Sequence, residues 1–280
     1  MGRYFILGGD DMSVTRNIKM TISYDGTNYA GFQSQRRTNL PTIQEVLENA
    51  LEKITAHPVR INASGRTDAG VHAMEQVVNF KTDGSIPTFK IPVALNSILP
   101  KDIVVKKAVE VDASFHARFS AVAKTYLYQI YNHNIRPAIG HQFFFHYPFP
   151  LDIKAMNEAA EYLTGEHDFA SFCAAGSGAK TTVRTIYKLS VKQYFHKIYI
   201  IVSANGFLYQ MVRSITGTLL SIGSGKMALE KISELLAAKN RAATGQTAPP
   251  HGLFLARVYY ELPKKFPDVE DFLDKGLLLL

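Results

Sequence analysis

Apolar and polar residues alternate over residues 18–24, the period-two pattern of a strand with one buried face. The period then lengthens. Ile43, Val46, Leu47, Ala50, Leu51 and Ile54 fall at i, i+3, i+4, i+7, i+8 and i+11, which is one stripe of a helix, and Thr42 with Glu45 has the spacing of a capping box that starts it. Strands are predicted over 59–63, 76–81 and the valine-rich 103–111, with a short helix over 91–98. From Lys124 the series begins again with a tyrosine-rich strand over 125–131. A helix follows, introduced by Asp152, striped by Ile153, Met156, Ala160 and Leu163 and ended by Gly165. Long strands over 183–194 and 197–204, helices over 207–222 and 229–239 and a last strand over 253–261 complete the pattern.

Two strand-helix-strand-strand halves predict an α+β chain, in which one broad and mainly antiparallel sheet carries its helices on one side. No short-period repeat is present. The implied organisation is an N-terminal extension over 1–16, an N-terminal subdomain over 17–112, a C-terminal subdomain over 113–261 and a C-terminal extension over 262–280. Both extensions read as loose. The seam lies over 112–123, and a site placed there draws residues from both halves.

Charge narrows the partners. Lys and Arg total 31 against 24 Asp and Glu in 280 residues, a formal charge of +7, which favours encounter with a polyanion such as nucleic acid. Cys173 is the single cysteine, so neither an internal disulfide nor a thiolate zinc cluster is available, and the nine histidines show no tight ligand spacing. No metal is expected. The first residues lack the apolar run of a signal peptide, and the closing leucines 277–280 are too few to span a bilayer, so the expected compartment is the cytoplasm.

Candidate chemistry concentrates in the loop over 63–73, where Arg66 and Asp68 stand between Gly65 and Gly70. Glycines permit a tight path, and Ser64, Thr67 and Asp68 can bond neighbouring amides, so the loop can hold Asp68 in a fixed direction. Three further features accompany it. The helix over 207–222 has a core stripe of Leu208, Met211, Val212, Ile215, Leu219 and Ile222, which leaves Arg213 on another face with Tyr209. Tyr126 and Tyr128 share one side of their strand. Pro249, Pro250, His251 and Gly252 form a stiff turn into the strand that begins at Leu253. Taken as residues alone, these features also suit a hydrolase pairing Asp68 with Glu75 or Asp25, or an RNA-binding protein without catalysis.

The segments GRTDAGVHA (65–73), FHARFSA (115–121), KTYLY (124–128), NGFLYQMVR (205–213) and PPHGLFL (249–255) occur in the order in which they stand in the tRNA pseudouridine synthase A (TruA) family, which the chain resembles over 17–261. SYDGTNYAGFQ (23–33) resembles that family's first strand and loop. The resemblance implies a pseudouridine synthase fold and isomerisation of uridine to pseudouridine at positions 38, 39 and 40 in the anticodon stem-loop of tRNA. The enzyme would be a homodimer needing no cofactor. It implies Asp68 as the essential aspartate, Arg213 as the arginine that pairs with it, Tyr126 as the ring that stacks on uracil and takes the C5 proton, Leu253 as the apolar lining of the base and Arg66 as a loop arginine holding the nucleotide. An enzyme serving three neighbouring positions reads shape, so Arg36, Arg37, Lys124, Arg136, Lys180 and Arg184 are candidate phosphate contacts.

Overall fold

The computed structural model of the chain describes residues 15–33, 39–241 and 244–273. The first half supplies β1 (Arg16–Tyr24), α1 (Ile43–Thr55), β2 (Asn62–Ala63), β3 (His72–Thr82), α2 (Ile91–Asn96) and β4 (Ile103–Val111). The second supplies β5 (Ala123–Tyr131), β6 (Phe145–His146), α3 (Ile153–Leu163), β7 (Gly165–Asp168), β8 (Val183–Tyr194), β9 (Lys197–Ala204), α4 (Met211–Gly223), α5 (Lys231–Ala238), β10 (Leu253–Tyr259) and α6 (Val269–Leu273).

These strands form one mixed sheet in the order β4-β1-β3-β10-β5-β9-β8-β7, with β2 added to β3 and β6 to β5. The halves do echo each other, because each opening strand lies between two later ones: β1 between β3 and β4, β5 between β9 and β10. Pairing along the order is antiparallel except between β3 and β10, which run parallel with His72 opposite Phe254. The last strand in sequence is therefore central in space and joins the halves. Parallel neighbours begin at the same end of a sheet, so the loop entering β3 and the turn entering β10 emerge side by side. That adjacency positions the site.

Local chemistry accounts for the elements. Thr42 Oγ1 accepts from the Glu45 amide, and the Glu45 carboxylate accepts from the Thr42 amide at 2.9 Å, so the capping box is closed and α1 starts where the sequence places it. In β1, Ile18, Met20, Ile22 and Tyr24 are buried against α1 and α2, as the alternation requires. β9 is buried on both faces. Ile198, Ile200 and Val202 face the core that α1 to α5 cover, while Tyr199 and Ile201 face a second cluster with Leu127, Phe254, Val269 and Phe272.

Four expectations need correction. Helices cover both faces of the sheet, because α6 lies opposite the others. Within the C-terminal extension, residues up to 273 are packed rather than loose: Val269 and Phe272 are fully buried, each burial stabilising by about 1.5–3 kcal/mol, and Asp268 meets Lys188 at 2.8 Å. The strand expected over 59–63 is reduced to β2, whereas β3 begins four residues early, at His72. Helix α4 begins at Met211, because Gln210 takes a left-handed φ of 57° that ends the preceding loop. Tyr209 thus stands outside the helix and shares no helical face with Arg213.

Candidate active site

Asp68 sits on the turn between β2 and β3. The Val71 amide donates to the Asp68 carbonyl at 3.1 Å, and Gly70, at φ +74°, supplies the left-handed third position that this turn needs. Ahead of it, the hydroxyls of Thr67 and Tyr24 share a hydrogen bond of 2.8 Å, and the Phe32 amide donates to the Thr67 carbonyl at 3.0 Å. The loop is held on both sides of the carboxylate. Burial pushes the Tyr24 phenol up to about 12, so at neutral pH its hydroxyl is a neutral partner for Thr67.

Arg213 arrives from the first turn of α4, and its Nη1 donates to Asp68 Oδ2 at 2.9 Å. The pair is partly shielded, with side chains 14% and 27% exposed. Arg213 is fixed a second time by Nε donating to the Ala248 carbonyl at 2.8 Å, while the Ala248 amide donates back to the Arg213 carbonyl at 3.0 Å. The guanidinium is therefore braced before it meets the carboxylate. Arg66 differs from its neighbour: it is exposed, and the ion-pair partner of Asp68 is Arg213 rather than this arginine nearer in sequence.

Tyr126 projects from β5 into the same region and is 7% exposed. Burial raises its phenol pKa well above the ordinary tyrosine range, with Tyr24 and Asp68 adding to the rise, so its ring lies within the electrostatic reach of the loop carboxylate. Phe207 meets it edge-on, ring centres 4.9 Å apart. Leu253, buried at the start of β10, lies opposite Tyr128 in register and belongs to the same core face as Tyr126. The Tyr128 hydroxyl donates to the Pro249 carbonyl at 2.8 Å, which anchors the stiff turn beside the loop.

The structure thus brings Asp68 onto Arg213 within reach of Tyr126, places Leu253 on the core face that Tyr126 shares, and leaves Arg66 exposed with no ion pair among the described residues. The phosphate candidates divide. Arg136 and Lys180 are exposed, and Arg184 is half-buried against Gly206, its Nη1 donating to the Thr181 and Val183 carbonyls. Arg36 and Arg37 lie outside the described residues. Lys124 departs from expectation: its ammonium turns inward and donates to the Ser64 carbonyl at 2.7 Å, because β5 directs it to the loop side of the sheet. The carboxylate-pair alternative loses its partners. Glu75 is engaged by Arg257 at 3.0 Å, and Asp25 by His72 at 3.0 Å.

Sequence reasoning missed His72, a buried ring that begins β3. Its Nε2 stands 3.1 Å from the Gln142 and His251 carbonyls, its Nδ1 3.0 Å from the Gly26 amide, and it stacks on Phe254 at 4.7 Å. Burial, the largest single influence, would raise the Asp25 carboxyl, but the contact with His72 and the bonds from the Thr27 hydroxyl and amide together outweigh it and bring that carboxyl down to about 2. His72 links the first-strand loop, the loop that carries Asp68 and the turn before β10, and its place in GVHA was the available signal. Tyr24 and Phe207 were missed too, because aromatic residues on a strand and in a loop have no local mark that separates site from core.

The profile of a family described as tRNA pseudouridine synthase matches residues 20–120 and 159–261, which include Asp68 and Arg213 and leave Tyr126 between the two segments. The protein named tRNA pseudouridine synthase A in Caldicellulosiruptor bescii is 49% identical over 245 residues, covering 88% of this chain and 100% of the relative. That of Bacillus pumilus is 50% identical over 246 residues, covering 87% and 99%. A protein of Clostridium perfringens named tRNA pseudouridine synthase A 2 is 47% identical over 245 residues, covering 88% and 100%.

Proposed function

This chain belongs to the tRNA pseudouridine synthase family, and on that premise we propose that it isomerises uridine to pseudouridine at positions 38, 39 and 40 of the tRNA anticodon stem-loop, with Asp68 acting on a flipped-out nucleotide. The observation that carries this reading is the 2.9 Å contact between Asp68 and Arg213, residues 145 apart in sequence and contributed by different halves, beside the ring of Tyr126.

The reaction breaks the bond from ribose C1′ to N1, turns the uracil and joins C5 to C1′; the proton leaving C5 is balanced by one gained at N1. Nothing is oxidised and no group is consumed, so the chemistry calls for no cofactor. A carboxylate between sugar and base serves it, either as nucleophile or as proton acceptor at the sugar. Arg213 pairs with Asp68 and aims it. The uridine must leave its stack at a cost of a few kcal/mol, and stacking on Tyr126, worth about 1–3 kcal/mol per base, offsets much of that. Leu253 would line the base and keep water from the detached uracil.

The rim suits a backbone reader. Arg66, Arg136 and Lys180 are exposed cations that would meet phosphates, with the half-buried Arg184 and, from the sequence, Arg36 and Arg37 as further candidates. By the same reading the enzyme acts as a cytoplasmic homodimer. Among the described residues no helix is long and apolar enough to cross a membrane.

The test is direct. Purified protein incubated with unmodified tRNA transcripts should introduce pseudouridine at positions 38–40, mapped by carbodiimide treatment and primer extension, with no free uracil. Released uracil, or pseudouridine confined to other positions, would overturn the assignment.

Arg213→Met should lower kcat about 100-fold with tRNA affinity within a few-fold. It removes the partner of a half-shielded carboxylate, and truncation of one member of such a pair costs about 2–5 kcal/mol when buried and less when, as here, solvent still reaches it. Arg213→Lys should fall between, since one ammonium cannot serve both Asp68 and the Ala248 carbonyl. Single-turnover rates check both variants, and equal kcat for Met and wild type would remove Arg213 from the site.

A further inference from the structure

Lys124 leaves β5 on the same face as Tyr126, two residues further along. Its ammonium reaches the stem of the catalytic loop and donates to the Ser64 carbonyl at 2.7 Å. A Cβ on residue 65 would stand 2.9 Å from Nζ, so a side chain there would displace the ammonium from its present place. The rest of the stem is also engaged: the Ser64 amide donates to the Val77 carbonyl at 2.8 Å, the Ser64 hydroxyl to Gln76 Oε1 at 2.6 Å, and Gln76 Nε2 to the Gly65 carbonyl at 2.9 Å. Those three bonds come from the first half. Lys124 alone among them comes from the strand that carries the tyrosine.

We propose that Lys124 is a positioning residue for the isomerisation, its ammonium fixing the Asp68 loop relative to the Tyr126 ring. The inference rests on Asp68 being the reacting carboxylate. Among the described residues Lys124 forms no ion pair with a carboxylate, and the charged group that acts on it is Arg118, a like charge from the segment before β5. Its strand neighbours in register, Val258 and Ala204, are apolar. The side chain is spent on the loop, and an ammonium on a carbonyl gives a short, directional bond at each end of which the backbone is fixed. Burial first, and then Arg118, bring the ammonium down to about 8. The charged tether is therefore complete near neutral pH and is lost as pH rises through that value.

The experiment compares wild type, Lys124→Met and Lys124→Arg by steady-state kinetics on tRNA transcripts between pH 6.5 and 9.5, with amide hydrogen exchange of residues 65–70 in the free protein. Lys124→Met should lose about 100-fold in kcat, the scale of a displacement near 1 Å, with KM within threefold and an unchanged salt slope. Lys124→Arg should recover part of the loss. Wild-type kcat should decline above pH 8, a limb absent from the Met variant, and the loop amides of that variant should exchange faster while those of β9 do not. A raised KM with unchanged kcat and a salt slope smaller by about one would make Lys124 a phosphate contact and overturn the proposal. So would unchanged kcat, or faster exchange spread evenly over the sheet. Should wild type form no pseudouridine, the functional reading fails, and the exchange comparison still decides whether Lys124 fixes the loop.

Discussion

Asp68→Ala is expected to abolish pseudouridine formation, a loss of about 10⁴-fold or more in single-turnover rate, while tRNA binding stays equal to wild type or becomes slightly tighter. The sign of the binding change follows from charge. The carboxylate faces a polyanion, so removing it deletes a repulsion and frees Arg213 to attract phosphate. The rate falls because the steps at C1′ need a group that can attack or take a proton, and methyl hydrogens do neither. Folding should survive, since Arg213 keeps its bond to the Ala248 carbonyl and the loop keeps its bonds through Thr67 and Val71. Asp68→Asn separates geometry from chemistry: the amide oxygen can still accept from Arg213, yet it is a poor nucleophile and base, so this variant should be as inactive as alanine. Filter binding, thermal melting and tritium release from tRNA labelled at uridine C5 measure the three quantities. Activity within tenfold of wild type in either variant would discard the mechanism.

Much of this site was legible because its residues sit in short segments whose order is specific. The apolar stripe and capping box of α1, the alternation of β1 and the valine-rich β4 are local patterns, and local patterns fix local structure. Contacts between distant segments were not legible in that way. Nothing in Leu253–Tyr259 announces that it inserts beside β3 and runs parallel to it, because pairing depends on the whole sheet. Residues 269–273 carry two core side chains, too few for a periodicity, although they cover the far face of β9. Lys124 illustrates the same limit for charge. A lysine on a strand reads as solvated, and only the folded position of the Ser64 carbonyl shows that its head turns inward. Arg213 lies off the core stripe, as the spacing implies, but on the first turn of a shorter helix that abuts the loop, where the resemblance places it against Asp68.

The second large effect belongs to Tyr126. Tyr126→Phe should bind tRNA normally and turn over about 10³-fold more slowly, whereas Tyr126→Leu should also lose about 1–3 kcal/mol of binding with the stacking surface. Burial, with Tyr24 and Asp68 adding to it, holds the phenol above the ordinary range, so the neutral form is fully present through neutral pH and ionises only at strongly alkaline pH. No preformed phenolate awaits the C5 proton, and the hydroxyl must release its own proton to solvent, from which N1 is protonated, as it takes that one. Phenylalanine keeps the ring, its edge contact with Phe207 and the burial, and removes this exchange alone. The Phe variant should therefore convert bound tRNA to a species joined through C5 that still holds its tritium, and tritium release should lag far behind cleavage of the original glycosidic bond. Wild-type rate should show no rising limb between pH 7 and 9 that the Phe variant lacks, because the ionisation of Tyr126 lies above that window. Tritium release from the Phe variant at near wild-type rate would leave the ring as a stacking surface and assign the proton to another base.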